Sequence, residues 1–293
     1  MSWSALAAII IWGFSFIATK VAIQEVHPFG LMALRFGIGA FLLSLVQFYR
    51  DRQFFRVLSA RDWAQVFLLA LVGIAGHNLI QAYGLLYTTA INTGWIIAAQ
   101  PLFITLSACL FLSERITLRK ITGLFLGFFG VSLIITKGVF SLAVFRWSSS
   151  FGDFLILFSA VTWAIFTVGG RNFLSRFPSL AAIVPIMSVG FLMSLLVSML
   201  RTEWNIRIHL SAAAWASVLF LGIFCSGVAY FLWYAALEKK DSSSVGMYLY
   251  LEPLVTLLGA CIFLGERASW VTLAGGGVTL AGVFLASRNT DQG

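Results

Sequence analysis

From Trp63 to Ser113 the chain runs 51 residues without an aspartate, glutamate, lysine or arginine. At about 1.5 Å rise per residue and about 30 Å of hydrocarbon, that run suffices for two membrane crossings and a tight turn. The rest of the chain agrees. Of its 293 residues 60% are hydrophobic and 10% charged, against about 25% charged in soluble domains. Such a chain cannot clothe itself in water-facing side chains, so most of its surface must meet lipid. Lipid offers the backbone no hydrogen-bond partner, which leaves helices or a closed barrel. Barrel strands alternate apolar and polar side chains, whereas these runs are apolar on every side. An all-α membrane protein is the expectation.

Charge gaps and turn residues divide the chain into ten spans, approximately 4–24, 29–49, 63–87, 91–112, 119–137, 151–171, 178–200, 212–237, 242–264 and 269–287. The first has no basic segment before it and is too long for a signal-peptide core, so it reads as a retained helix. The connections are short, and no GxxxxGK[ST] run is present, so no transport by this chain is driven by ATP bound to it. The net charge of +8 is dispersed among short loops, the pattern of topology determinants rather than of a nucleic-acid surface. Cys109, Cys225 and Cys261 sit in apolar runs without metal-ligand spacing and read as buried, inert thiols. No cofactor and no metal are expected.

An internal repeat organises the spans. Shifting the sequence by 152 places Gly94 on Gly246, Pro101 on Pro253, Cys109 on Cys261, and Glu114-Arg115 on Glu266-Arg267. Residues 94–136 and 246–288 share 14 identities in 43 ungapped positions, where composition alone gives roughly four or five. With an offset of 151, Trp12 meets Trp163. The expected organisation is a five-helix repeat over 1–137, a periplasmic linker over 138–150 and a second five-helix repeat over 151–293. An odd number of spans inserts the second copy upside down. With the N-terminus in the cytoplasm, the inner segments hold twelve basic residues: Arg50, Arg52, Arg56, Arg61, Arg115, Arg119, Lys120, Arg171, Arg176, Lys239, Lys240 and Arg288. The outer ones hold five: Lys137, Arg146, Arg201, Arg207 and Arg267. The positive-inside rule then puts both termini in the cytoplasm of a bacterial inner membrane.

These features resemble the EamA-type branch of the drug/metabolite transporter superfamily. The resemblance rests on Ile11-Trp12-Gly13 in the first span and on Pro28 with Arg35 around the second. Pro101 with Glu114-Arg115, Glu252-Pro253 with Glu266-Arg267, and the glycine-rich fifth and tenth spans complete it. Within the superfamily the chain is similar to the YddG-like aromatic amino-acid exporters. The resemblance implies alternating-access export of metabolites such as amino acids, with a small-molecule substrate, the lipid bilayer as surroundings, and a monomer or homodimer. One departure is that Arg35 aligns with Pro185, so any role of that arginine is not duplicated.

In inverted-repeat carriers the substrate site lies near the midplane, where corresponding helices are interrupted. Gly94…Pro101 and Gly246…Pro253 are matched seven-residue intervals and mark candidate hinges, or else harmless kinks. Polar side chains mark the wet faces. His77, Gln81, Gly84 and Thr88 recur at helical spacing in the third span, with Asn78 beside them. Their counterparts in the eighth are Ser226, Tyr230 and Trp233, with Tyr234 adjacent. Ser244, Tyr248 and Glu252 form an i, i+4, i+8 stripe in the ninth, and Trp12 and Ser15 with Trp163 and Phe166 supply faces of the first and sixth. The candidate substrate-binding set is Trp12, His77, Asn78, Gln81, Trp163, Tyr230, Tyr234, Tyr248 and Glu252.

Several of these residues have a second reading. His77 is a cavity donor or an interhelical bond. Trp12 and Trp163 are stacking walls or packing residues. Glu252 carries protons or bonds backbone groups freed by Pro253. Arg35 can hold a substrate carboxylate, but pairing with backbone carbonyls is the stronger reading. Glu114 and Glu266, beside arginines at helix ends, read as interfacial ion pairs. Gly123-x3-Gly127 and Gly275-Gly276-Gly277 permit close packing within the chain or in a dimer. The leading function is export of small amphipathic metabolites, aromatic or other amino acids first. A multidrug or nucleotide-sugar carrier, or a channel, uses the same architecture. The nucleotide-sugar carrier wants several deep cations, and only Arg35 and Lys20 approach that. An enzyme is not expected: His27, His77 and His209 lie in separate segments without an HExxH motif.

Overall fold

The structure, a computed structural model, describes residues 2–51, 58–112, 118–139, 148–200, 210–240 and 242–287. Every regular element among them is helical: α1 (Trp3–Ala22), α2 (Pro28–Arg50), α3 (Ala60–Tyr87), α4 (Ala90–Ile97), α5 (Gln100–Leu112), α6 (Leu118–Thr136), α7 (Ser148–Leu174), α8 (Ser179–Leu200), α9 (Ala212–Lys239), α10 (Ser242–Gly246), α11 (Glu252–Phe263) and α12 (Trp270–Ser287). Among the described residues seven segments are long and apolar enough to cross a membrane, and three shorter apolar helices, Ile121–Thr136, Tyr248–Phe263 and Trp270–Gly282, accompany them. Glu114 and Arg115, and the basic residues Arg52, Arg56, Arg146, Arg201, Arg207 and Arg288, fall outside the described residues. So do the side chains of Cys109, Arg119, Lys120 and Ser244.

Local chemistry explains where the helices start. A helix leaves its first N–H groups without partners, and in a bilayer these need side chains. Ser2, Ser59, Thr89 and Ser211 cap α1, α3, α4 and α9, and Pro28 opens α2 where its missing N–H costs nothing. Carboxylates reinforce several of these ends. Asp62 completes a capping box with Ser59, Glu238 accepts from the Ser179 N–H at 3.1 Å, and Glu25 accepts from Ser211. Glu266 accepts from Ala90 and Ile91 N–H, both at 3.0 Å. The expectation of an interfacial ion pair for Glu266 is therefore corrected: its carboxylate sits on the positive end of α4, where two free N–H groups hold it in fixed geometry. Glu266→Ala should cost about 1 kcal/mol, read as a lower thermal midpoint of the purified protein in detergent. An unchanged midpoint would mean that water serves α4 equally well.

The same contacts sort the helix ends into two groups. At one end Lys20 Nζ donates to the Leu85 carbonyl at 2.7 Å and to that of Thr88, the Thr88 hydroxyl donates to Asp153, and Glu266 and Glu25 make the contacts above. At the other, Arg176 pairs with Asp62 and with Gln65 at 2.7 Å, beside the Ser179–Glu238 bond. Both Thr88 and Ser211 belong to the first group, and Asp62 and Glu238 to the second, so α3 and α9 each run from one end to the other.

Among the described residues four segments within the spans depart from α-helical geometry. Residues Ala70–Gly76 of α3 and Phe220–Ala229 of α9 are π-helical, and the repeat offset carries the first stretch into the second. Ala98 and Ala99 break the ladder between α4 and α5, directly before Pro101. Met247–Leu251 is a 3-10 turn directly before Glu252-Pro253. Proline supplies no N–H and crowds the preceding turn, so both interruptions fall where the sequence removes a hydrogen bond.

The most extensive helix pairing is between α6 and α12. A Cβ on Gly130 would stand 2.5 Å from the Gly275 carbonyl oxygen, and one on Gly282 would stand 2.6 Å from that of Gly123. These glycines are consumed within the chain, where they let two backbones touch. Cys225 is buried, whereas Cys261 of α11 is exposed, which corrects the expectation that it is buried.

Candidate functional site

The centre of the bundle is aromatic. Trp12 of α1 and Trp163 of α7 meet edge to face with centroids 5.1 Å apart. Tyr230 lies 5.3 Å and Trp233 5.5 Å from Trp12, and His77 lies 5.0 Å from Trp163. The Trp12 indole N–H donates to the Cys225 carbonyl at 3.1 Å, within the π-helical stretch of α9, where carbonyls stand out of α register. The Trp163 N–H has no partner among the described residues. Both indoles thus pack and face a cavity at once, so the two readings of them were not exclusive.

That cavity is lined by Trp12, Ser15 and Phe16 from α1, Arg35 from α2, His77, Asn78 and Gln81 from α3, and Ile97 and Gln100 at the α4–α5 break. Trp163, Tyr230, Leu249 and Glu252 close it. It offers about 30 Å³ of free space, room for about two waters and not for a metabolite.

Its polar walls are held from behind. His77 Nδ1 bonds the Ser159 carbonyl at 2.8 Å, so the ring both ties α3 to α7 and borders the cavity. The Asn78 amide donates to the Gly73 and Ile74 carbonyls at 3.2 and 3.0 Å, and to the Tyr230 hydroxyl at 2.9 Å. It serves the carbonyls of its own π-helical stretch and the repeat-related tyrosine together. Arg35 is 3% exposed and donates from Nε to the Ser226 hydroxyl at 3.1 Å. No backbone carbonyl takes its guanidinium among the described residues, contrary to the stronger expectation; it borders the cavity instead. Glu252 is 4% exposed and accepts from no described backbone N–H, so the expected bonding to groups freed by Pro253 is not seen. Gln100, its repeat partner, has a buried amide oxygen with no described donor.

Two candidates lie elsewhere. Tyr234 is buried against Phe166, with its hydroxyl near Gly170, and Tyr248 accepts from the Ser2 N–H at 2.5 Å. The reason for Tyr248 is geometric. A stripe at i, i+4, i+8 assumes 3.6 residues per turn, but Met247–Leu251 turns every three residues. Four residues then overshoot a full turn by about 120°, so Tyr248 and Glu252 face different ways. The hinge candidates sit at the interruptions. Gly94 faces Thr256 of α11, where a Cβ would come within 2.9 Å, and Gly246 begins the 3-10 turn. Gln100 and Arg35 are the cavity residues that sequence reasoning ranked too low. Gln100 had a legible signal, a polar side chain directly before a repeat-matched proline.

Comparison with known proteins comes in three parts. The model of the "EamA-like transporter family" matches residues 2–136 and again 150–288. An "Uncharacterized transporter" of Archaeoglobus fulgidus is 32% identical over 97% of this chain and 96% of its own length. A "Probable terminal-alkyne amino-acid exporter" of Streptantibioticus cattleyicolor is 27% identical over 98% of this chain and 93% of its own. A solved structure titled "Crystal structure of protein" superposes with a TM-score of 0.71 at 20% identity, covering 97% of this chain and 95% of that one.

Proposed function

Since the chain belongs to the EamA-like transporter family, we propose that it exports small amphipathic metabolites, aromatic or other amino acids first, by alternating access through the central cavity. The observation that carries this reading is the cavity itself. It mixes indole and phenol faces with a few fixed polar groups, and it draws walls from both matched halves of the chain. The Streptantibioticus relative, by its printed name, exports an amino acid. A nucleotide sugar would want several cations for its phosphates, and Arg35 is the one cation on this cavity among the described residues.

The proposed architecture is ten crossings in two inverted five-helix repeats, 1–137 and 151–293, joined by a periplasmic linker at 138–150. The alternation of helix ends supports it, as do the π-helical stretches one repeat apart and the contacts between repeat-related residues, Trp12 with Trp163 and Asn78 with Tyr230. Gly94, Pro101, Gly246 and Pro253, at the two interruptions beside the cavity, are the proposed hinges. The small volume fits a carrier that must move to load. Counterflow in proteoliposomes with a panel of amino acids tests the function: saturable, trans-stimulated uptake is expected. Linear, unsaturable flux would indicate a pore and overturn it. The basic asymmetry supports a placement of both termini in the cytoplasm of a bacterial inner membrane. A cysteine at Ser148 in a cysteine-free background should then react with an impermeant maleimide from outside the cell; reaction from the cytoplasm alone would defeat the inverted arrangement.

A further inference from the structure

Several of the described charges near the spans serve helix ends. Glu25, Asp62, Glu238 and Glu266 accept from backbone N–H groups, and Lys20 donates to the carbonyls that end α3. Asp153 accepts from the Thr88 hydroxyl. Such pairing with helix termini is where a charge is best tolerated in lipid.

Arg35 and Glu252 are different. Each is almost wholly buried, and each lines the central cavity. Arg35 lies over the Phe36 ring at 5.0 Å and has one hydrogen-bond partner among the described residues, the neutral Ser226 hydroxyl. Glu252 has no hydrogen-bond partner among them at all. The two are also not joined to each other by an ion pair, although they border the same small space. A buried cation and a buried carboxylate held apart around one cavity each keep hydrogen-bonding capacity that no described protein group takes up, which leaves it to whatever enters the cavity.

The repeat adds an independent observation. Arg35 corresponds to Pro185, and Glu252 to Gln100, so neither charge has a counterpart in the other half. The indoles are matched in kind, Trp12 against Trp163, and Asn78 meets its repeat-related Tyr230 as another neutral group. Walls related by pseudo-symmetry would admit a ligand either way round. Two unmatched charges of opposite sign leave it one way.

We propose that Arg35 and Glu252 are the specificity-determining residues of the carrier, taking the carboxylate and the ammonium of a zwitterionic amino acid respectively and holding it in a single orientation. The inference rests on the carrier reading above. Arg35 is suited to its part because a guanidinium offers parallel N–H donors that match a carboxylate. Glu252 presents its carboxylate where the 3-10 turn gives way to α11, so the interruption that marks a hinge also carries one of the two recognition groups.

The test uses the purified full-length chain and three probes: phenylalanine, phenethylamine, which lacks the carboxylate, and 3-phenylpropionate, which lacks the ammonium. Equilibrium binding in detergent should favour phenylalanine over either analogue by about tenfold or more, as charge-assisted hydrogen bonds do. Arg35→Gln should abolish the preference over phenethylamine and keep the preference over 3-phenylpropionate; Glu252→Gln should do the reverse. Arg35→Lys and Glu252→Asp, which keep the charges, should retain part of each preference. A wild type that binds an analogue as well as phenylalanine overturns the inference, and so do folded Gln variants that weaken all three probes equally. If counterflow is as strong with phenethylamine or 3-phenylpropionate as with phenylalanine, the charge assignment fails and the carrier stands. If the counterflow panel yields no saturable uptake, both fail.

Discussion

Gly130→Leu is expected to leave little folded protein. The α6–α12 pairing brings backbones together at this position: a Cβ would stand 2.4 Å from the Thr279 hydroxyl and 2.5 Å from both the Gly275 carbonyl oxygen and the Thr279 nitrogen. Overpacking of a core usually costs about 1–3 kcal/mol, with side chains absorbing part of it. Here the obstructing atoms include backbone, which can yield only by parting the helices. The cost should therefore reach about 3 kcal/mol or more. In lipid no hydrophobic effect draws helices together, so the van der Waals packing that separation destroys is not regained elsewhere. The measurement is the monodisperse fraction of extracted protein, with Gly277→Ala as control, because a Cβ there meets nothing within 4 Å. Equal yields for the two variants would show that the close approach of these glycines does not hold the pair.

The second large effect is expected at the aromatic centre. Trp12→Ala removes an indole that touches Trp163, Tyr230 and Trp233 and leaves the Cys225 carbonyl without that donor. Truncation of a buried aromatic costs about 3–5 kcal/mol, and the unserved carbonyl adds about 1–3 kcal/mol. Trp12→Phe separates the two contributions, since it keeps a ring while losing the N–H. Thermal midpoints should fall in the order wild type, Trp12→Phe, Trp12→Ala. In counterflow, Trp12→Ala and Trp163→Ala together should raise the half-saturating substrate concentration at least about tenfold, equal to the loss of about 1.4 kcal/mol of binding. Unchanged transport in that double variant would remove the aromatic wall from the proposed site.

The positions of the interruptions were legible because their cause is local. Pro101 and Pro253 remove hydrogen bonds wherever the rest of the chain lies, and the breaks at Ala98-Ala99 and Met247–Leu251 follow. Helix starts were less well read: the third span was expected from 63, whereas the Ser59-x-x-Asp62 capping box starts α3 at Ala60. The glycines of the fifth and tenth spans announced close packing but not its partner. Their spacing suits any helix that approaches, and only the assembled bundle pairs α6 with α12. Stripe reasoning failed for Tyr248 because it assumed one helical pitch across a segment that changes pitch. The eighth-span stripe also started at Ser226, inside Phe220–Ala229, and no periodicity in this sequence announced the π geometry there or at Ala70–Gly76.

By itself, then, the sequence determined the solvent, the secondary structure, the repeat and the breaks. All four follow from hydropathy, from backbone hydrogen bonding and from self-comparison along one chain. Only the tertiary structure decided which charges are satisfied. Glu252 and Glu266 each neighbour a residue that promised them a partner, Pro253 with its freed groups and Arg267 with its charge. One carboxylate instead found the start of α4, formed by residues some 175 positions away, and the other found no described hydrogen-bond donor. Lys20 and Arg35, two cations within spans, parted in the same way, one to the end of α3 and the other to the cavity. Whether a buried charge is neutralised depends on which distant helix end comes within about 3 Å, and proximity of that kind is a property of the packed bundle.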